Sequence, residues 1–195
     1  MQRRPLRLIL ILCLLGGLAA YWWWQDHLER SQDGPIRAAA QRYGVEPALV
    51  KAIVWRESHF HPRVRGRAAE IGLMQLQEEA AREWAGAEHL DGFEHEHCLD
   101  PATNTLAGTW YLRKLLRRYA RTDNPLPYAL ADYNAGRGNV LKWNLGPAAT
   151  NSAAFVEHIG FPSTKTYVRS VLRRYAHYKP IFLPQLQQGE RPGEP

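Results

Sequence analysis

Glu57 is a carboxylate standing where a helical pattern calls for a hydrophobe. In Pro47-Ala48-Leu49-Val50-Lys51-Ala52-Ile53-Val54-Trp55-Arg56-Glu57-Ser58, the residues Val50, Ile53, Val54 and Glu57 fall at i, i+3, i+4 and i+7, one stripe of a helix that is apolar until its last member. An acid set against apolar neighbours has its charged form disfavoured, so its pKa rises and it stays protonated near neutral pH. That is the condition for a general acid, and breaking a glycosidic bond is a reaction that needs one. The plain alternative is a Glu at the end of a helix turning into solvent, as most Glu do.

Three further motifs follow in order. Gly72-Leu73-Met74-Gln75 comes shortly after Glu57-Ser58, then Ala131-Asp132-Tyr133-Asn134-Ala135-Gly136, then the Tyr167-Val168 pair. Between them lies Asp100-Pro101-Ala102-Thr103-Asn104, followed by Tyr111-Leu112. Together these resemble the SLT-type lytic transglycosylases of the lysozyme-like superfamily, over roughly residues 35–179. The resemblance implies a mainly α, lysozyme-like fold that cuts the MurNAc-GlcNAc bond of peptidoglycan glycan strands and leaves 1,6-anhydromuramyl ends, with no metal or organic cofactor. It implies Glu57 as the catalytic acid, Gln75, Tyr133, Asn134, Tyr167 and Met74 as substrate-binding residues, and Ser58 as support for the helix end. Met74 by its type is also a packing residue. Tyr133 is able to orient Glu57 or bind sugar through its hydroxyl, and the Gln75 and Asn134 amides suit N-acetyl or hydroxyl groups.

Hydrolysis of a glycosidic bond ordinarily takes two flanking carboxylates. Only Glu57 has a motif placement; the resemblance implies that the substrate's own N-acetyl or 6-hydroxyl group supplies the rest. Glu70, just before Ile71-Gly72, is the second acid nearest the site and keeps a hydrolytic muramidase open as a rival. A non-catalytic peptidoglycan-binding module of an envelope assembly is the rival from another class. The chain departs from the family pattern at residues 66–71, where a Ser-x-x-Gly-Ala stretch is common, and at Gln77-Glu78, which replaces a Met-Pro. Asp132 occupies the variable position of its motif and is expected to be exposed.

Several elements must position these residues. Pro47 opens the helix that carries Glu57. Residues 73–84 read as a helix, 86–100 as a loop, 102–119 as a long helix, 127–134 as a shorter one and 146–162 as irregular. Thr164 is a candidate cap for a last helix, with Tyr167, Val168, Val171, Leu172 and Tyr175 as its apolar stripe and Pro180 as its end. Residues 1–24 form an export signal or membrane anchor, 25–34 a polar linker, 35–179 the catalytic-type domain and 180–195 a disordered tail.

The N-terminal assignment rests on Arg3, Arg4 and Arg7 before an uncharged run of about 17 residues that ends in Trp22-Trp23-Trp24. Basic residues stay on the cytoplasmic side and Trp prefers the interface, so the domain faces the periplasm at the inner membrane. Gly17-Leu18-Ala19 offers a cleavage site as the competing reading. Leu10-Ile11-Leu12 before Cys13 is not a lipidation signal, and Cys98 has no partner within the domain.

A chain of 195 residues, 45% hydrophobic, fits one domain plus accessory ends. Its net charge of +6 points to an anionic partner, a cell wall or a membrane surface. The basic residues form no nucleic-acid motif, and the export segment argues against that partner. His89, His95, His97 and Cys98 lie close together without the spacing of a structural zinc site.

Overall fold

A computed structural model of the chain describes the backbone of residues 4–186 and the side chains of residues 8–182. Nine α-helices run in order over the described residues: α1 (Arg4–Ser31), α2 (Asp33–Tyr43), α3 (Pro47–Ser58), α4 (Glu78–Ala87), α5 (Pro101–Arg118), α6 (Pro125–Ala135), α7 (Arg137–Trp143), α8 (Ser152–His158) and α9 (Pro162–Leu186). Tight 3-10 turns at His95–Leu99 and Gly146–Ala149 join some of them. Extended pairing among the described residues is limited to two isolated bridges at Ile71, to Arg65 and to Leu76. The fold is mainly helical, as the motifs imply.

α3 is the centre. Every residue from 47 to 54 is buried, so this helix is covered all round, chiefly by α9 and α2. Pro47 sits in its first turn, where the missing N–H would have had no helical partner. The helix stops because His59 and Phe60 both turn left-handed, at φ 48 and 66. Each such non-glycine turn costs on the order of 1 kcal/mol. Phe60 is 3% exposed, and burying a ring of that size returns about 1.5–3 kcal/mol.

The polar stretch 25–34 is not a linker. α1 continues through it, and Gln32, with φ −96 and ψ 0, is the only residue between α1 and α2. Its charges are partners for a buried cation: Lys51, 3% exposed in the middle of α3, has its Nζ 2.7 Å from Asp33 and 3.6 Å from Glu29. Leu28 packs on the core beside them. Unpaired, that ammonium would be several kcal/mol too costly to bury.

α9 likewise runs past Pro180. An interior proline costs about 3 kcal/mol. Beyond it Phe182 is 2% exposed, with the Arg37 guanidinium 4.4 Å from its ring centroid and Lys51 Nζ at 5.1 Å. Ring burial at about 1.5–3 kcal/mol and cation–π contacts of ~0.5–1 kcal/mol each offset the penalty. The expected tail 180–195 is therefore helical to Leu186, and its remainder lies outside the described residues.

Two shorter expectations also change. Residues 146–162 contain α8, capped by Asn151, whose side chain accepts from Ala154 N, and pinned by Phe155 stacked 4.1 Å from Tyr128. The helix expected from residue 73 begins only at Glu78, because Gly72 (φ +81) and Gln75 (φ +46) turn the chain twice before it.

Candidate active site

α3 delivers Glu57 to the floor of a cleft of about 310 Å³ whose walls include Gln75, Tyr111, Tyr133 and Asn134. Val50, Ile53 and Val54 behind it are fully buried, in a helix that is buried on every side from 47 to 54. Burial pushes the Glu57 carboxyl up to about 7, with the Glu70 charge adding to the rise; the Tyr167 hydrogen bond and the Arg56 charge oppose it. Tyr167, 2% exposed on α9, donates from its hydroxyl to Glu57 Oε1 at 2.7 Å. A hydrogen bond donated to a carboxylate stabilises the ionised form. Tyr167→Phe should therefore move the Glu57 titration above its present midpoint, read by NMR of the labelled carboxyl. A midpoint that falls or stays would mean that the hydroxyl does not set this pKa.

Ser58 anchors the other side of the helix end. Its hydroxyl lies 2.8 Å from Leu73 O and 3.1 Å from Val54 O, tying α3 to the Gly72-Leu73-Met74-Gln75 turn. That turn is fixed most firmly by Asn104 of α5, which is fully buried: Oδ1 accepts from Met74 N at 2.7 Å, and Nδ2 donates to Ile71 O at 3.0 Å and Cys98 O at 2.7 Å. Gly72 is required twice over, by its positive φ and because a Cβ there would sit 2.1 Å from Asn104 Nδ2. Asp100 caps α5 by accepting from Thr103 N, which sets the register that brings Asn104 inward. The sequence marked this segment as a motif without giving Asn104 a role.

Met74, counted above with the substrate-binding residues, is fully buried, its thioether against Gly108. It packs the cleft wall from behind because Gly108 leaves a hollow of the right size. Its carbonyl accepts from the Tyr133 hydroxyl at 2.8 Å. The proton of that hydroxyl is thus spent on the loop, while the Tyr133 ring stays on the cleft wall beside Tyr111, 5.8 Å between centroids.

The two amides are half committed. Gln75 Nε2 donates to Val64 O (3.1 Å) and Gly72 O (2.9 Å), and among the described residues nothing engages its Oε1. Asn134 Oδ1 accepts from Thr164 Oγ1 at 2.8 Å, and among the described residues nothing engages its Nδ2. These two amides leave the cleft one acceptor and one donor. Thr164 serves this contact and does not cap α9, which begins at Pro162.

Asp132 is 2% exposed, not exposed as expected, and its Oδ2 accepts from Arg118 Nη1 at 2.6 Å and the Tyr119 hydroxyl at 2.7 Å. A buried charge needs such partners. Glu70 lines the cleft, but its carboxylate is turned into its own loop, with Oε2 accepting from Ala68 N at 2.7 Å, and its side chain fills the space a Cβ on Gly66 would need. Tyr111 is the cleft residue with the least sequence signal, one aromatic among several on an amphipathic helix.

The histidine-rich segment is structural where it can be followed. His95 Nε2 is 2.9 Å from Leu76 O, and His97 Nδ1 accepts from Glu94 N in a capping box. No group of three or more His, Cys, Asp or Glu among the described residues is placed to hold a metal ion.

Comparison with known proteins gives the same outline. Residues 34–156 match the family model described as the transglycosylase SLT domain. A soluble lytic murein transglycosylase of Escherichia coli is 32% identical over 179 residues, covering 85% of this chain and 27% of that protein. A membrane-bound lytic murein transglycosylase C of Klebsiella pneumoniae is 38% identical over 126 residues, 60% of this chain and 35% of that protein. The crystal structure of the 70 kDa soluble lytic transglycosylase of Escherichia coli superposes with a TM-score of 0.69 at 29% identity, covering 84% of this chain and 27% of that one. The chain spans about a quarter to a third of the length of these relatives.

Proposed function

Since the chain belongs to the transglycosylase SLT domain family, we propose that it is a lytic transglycosylase that cleaves the MurNAc-GlcNAc bond of peptidoglycan and closes the muramyl end as a 1,6-anhydro ring. The observation that carries this is Glu57: a carboxyl raised to about 7, at the floor of a cleft, held by one tyrosine. Near neutral pH it is populated both as acid and as carboxylate. As acid it protonates the glycosidic oxygen as the bond to the anomeric carbon breaks. As carboxylate it takes the proton from the muramyl 6-hydroxyl as that oxygen bonds to the anomeric carbon, which returns Glu57 to its starting form.

The Gln75 Oε1 acceptor and the Asn134 Nδ2 donor are together complementary to an acetamido group, which offers one N–H and one carbonyl. The Tyr111 and Tyr133 rings give sugar faces an apolar wall. Glu70 would have to activate water for the reaction to be hydrolytic, and its carboxylate is committed to Ala68 N.

Product analysis tests this. Anhydromuramyl ends should dominate the products of digested wall, with little heavy oxygen taken up from labelled water. Glu70→Ala should slow turnover only a few-fold, since an internal hydroxyl held at the reacting carbon outcompetes water. Heavy label at the new end that disappears with Glu70→Ala would favour the muramidase, and binding without any product the non-catalytic module.

We place the enzyme at the periplasmic face of the inner membrane, with residues 1–24 as the anchor and the domain running from α2 to α9. α1 is long and apolar enough to cross a membrane, and its apolar side chains are exposed where the domain offers no cover. Full-length protein should pellet with membranes and keep its N-terminus through export. A mature chain starting near Ala20 on N-terminal sequencing would decide for cleavage.

A further inference from the structure

The level of the cleft relative to the bilayer can be read from the register of α3 against α1. Lys51 of α3 meets Glu29 of α1. Eight residues on, His59, just past the end of α3, lines a groove of about 300 Å³ together with Trp55 and, from α1, Tyr21 and Trp22. Tyr21 is eight residues back from Glu29. Across this groove the two helices therefore run in opposite directions, and the C-terminal end of α3 returns toward the bilayer. Glu57 lies between Trp55 and His59, at the level of the aromatic cluster Tyr21, Trp22, Trp23 and Trp24.

Those four rings, all more than half exposed, belong at a membrane interface by composition. Glu57 is two positions beyond Trp55, about 200° around the helix, so the cleft lies on the far side of α3 from α1, displaced sideways by roughly one helix diameter of 10–12 Å. The placement is set at one joint. Only Gln32 separates α1 from α2, and the joint is closed by Lys51 with Glu29 and Asp33 and by Leu28 in the core.

We infer that the cleft works at the membrane surface, on glycan strands still tethered in the same leaflet by a covalently attached lipid. A stalk that keeps the acid level with the interfacial rings brings it to glycan lying along the headgroups. A strand must be held there, and a lipid on one end does so. Tethering both enzyme and strand to one surface raises their effective concentration without any new contact. This rests on the lytic transglycosylase reading and on the anchor.

The test uses full-length protein in vesicles with two forms of the same short glycan strand, one carrying a lipid at its reducing end and inserted in the bilayer, the other free in solution. A second protein carries an 18-residue helical insertion after Trp24, five whole turns, which keeps the phase of α1 and lifts the domain by about 27 Å. Wild type should cleave the tethered strand at least tenfold faster than the free strand. The insertion should remove that advantage while leaving cleavage of the free strand within about twofold, which also shows that the inserted protein is folded. Equal rates on the two strands for wild type, or an advantage that survives the insertion, would overturn the inference while leaving the lytic activity in place. Cleavage of neither strand by wild type would instead remove the activity on which it rests.

Discussion

Glu57→Gln should lower turnover of peptidoglycan by roughly 10²–10⁴-fold, the usual worth of a positioned general acid, while the protein folds as before. The amide keeps the shape of the side chain and an oxygen to accept the Tyr167 hydroxyl, but has no proton to give to a leaving oxygen. The same variant should be more stable than wild type in alkaline solution. The carboxyl in the folded protein sits at about 7, above its unfolded value of 4.5, so the folded state binds that proton more tightly. Its stabilising contribution is complete below the unfolded value and is lost as pH rises through the folded one, leaving a deficit on the order of 2–3 kcal/mol well above neutrality. Glutamine has no such dependence. Melting temperatures of the two proteins should therefore converge near pH 4, draw apart between about pH 4.5 and 7 and stay apart above that, with the variant higher. Near wild-type turnover in Glu57→Gln would end the assignment, and parallel melting curves across pH would mean that the carboxyl is not held in a desolvated place.

Asn104→Ala should cost more stability than Gln75→Ala or Asn134→Ala in the cleft wall. It leaves Met74 N–H, Ile71 C=O and Cys98 C=O without partners in a site closed to water. At about 1–3 kcal/mol for each buried group left unsatisfied, a total near 3–5 kcal/mol is expected once the loop relaxes. That is a large part of the ~5–15 kcal/mol that holds a typical domain, equivalent to a fall in Tm on the order of 10 °C. Activity should fall too, because Gln75 and the loop facing Glu57 are shaped by those three bonds. A Tm within about 2 °C of wild type would show that the Gly72-Leu73-Met74-Gln75 turn does not depend on Asn104.

The contrast between these two residues shows what the sequence made legible. Glu57 announced itself by breaking an apolar period, and Val50, Ile53 and Val54 are buried behind it. Asn104 broke no period, since an amide on a long helix looks the same whether it faces water or three backbone groups. Asp132 was misplaced for a related reason: its charge favours the surface until Arg118 and Tyr119, from a different helix, are known to meet it. Glu29 and Asp33 made residues 25–34 look like a solvated connection because their partner, Lys51, reads in turn as the one polar slip in a buried helix. Composition registers each charge singly, and what decides burial is the pair. Periodicity failed at residues 73–77, where the apolar spacing suits a helix but two positive-φ turns come first. Proline misled at position 180, where local cost was outweighed by the distant hollow that receives Phe182.

Lys51 and Glu57 share one further property. Two of the three rings around Lys51, Tyr178 and Phe182, and the hydroxyl that meets Glu57, on Tyr167, come from α9, which follows every other described helix in the chain; the third ring is Phe60. Glu57 and Tyr167 are 110 positions apart. During synthesis the earlier helices emerge first, and α3 waits with its acid without the Tyr167 hydroxyl, and its ammonium with Glu29, Asp33 and Phe60 alone, until α9 arrives. The long loop closed by that last docking makes it a late event in folding. Glu57 therefore gains the hydroxyl that tunes it only when α9 docks, so the setting of its acidity is tied to the direction of translation.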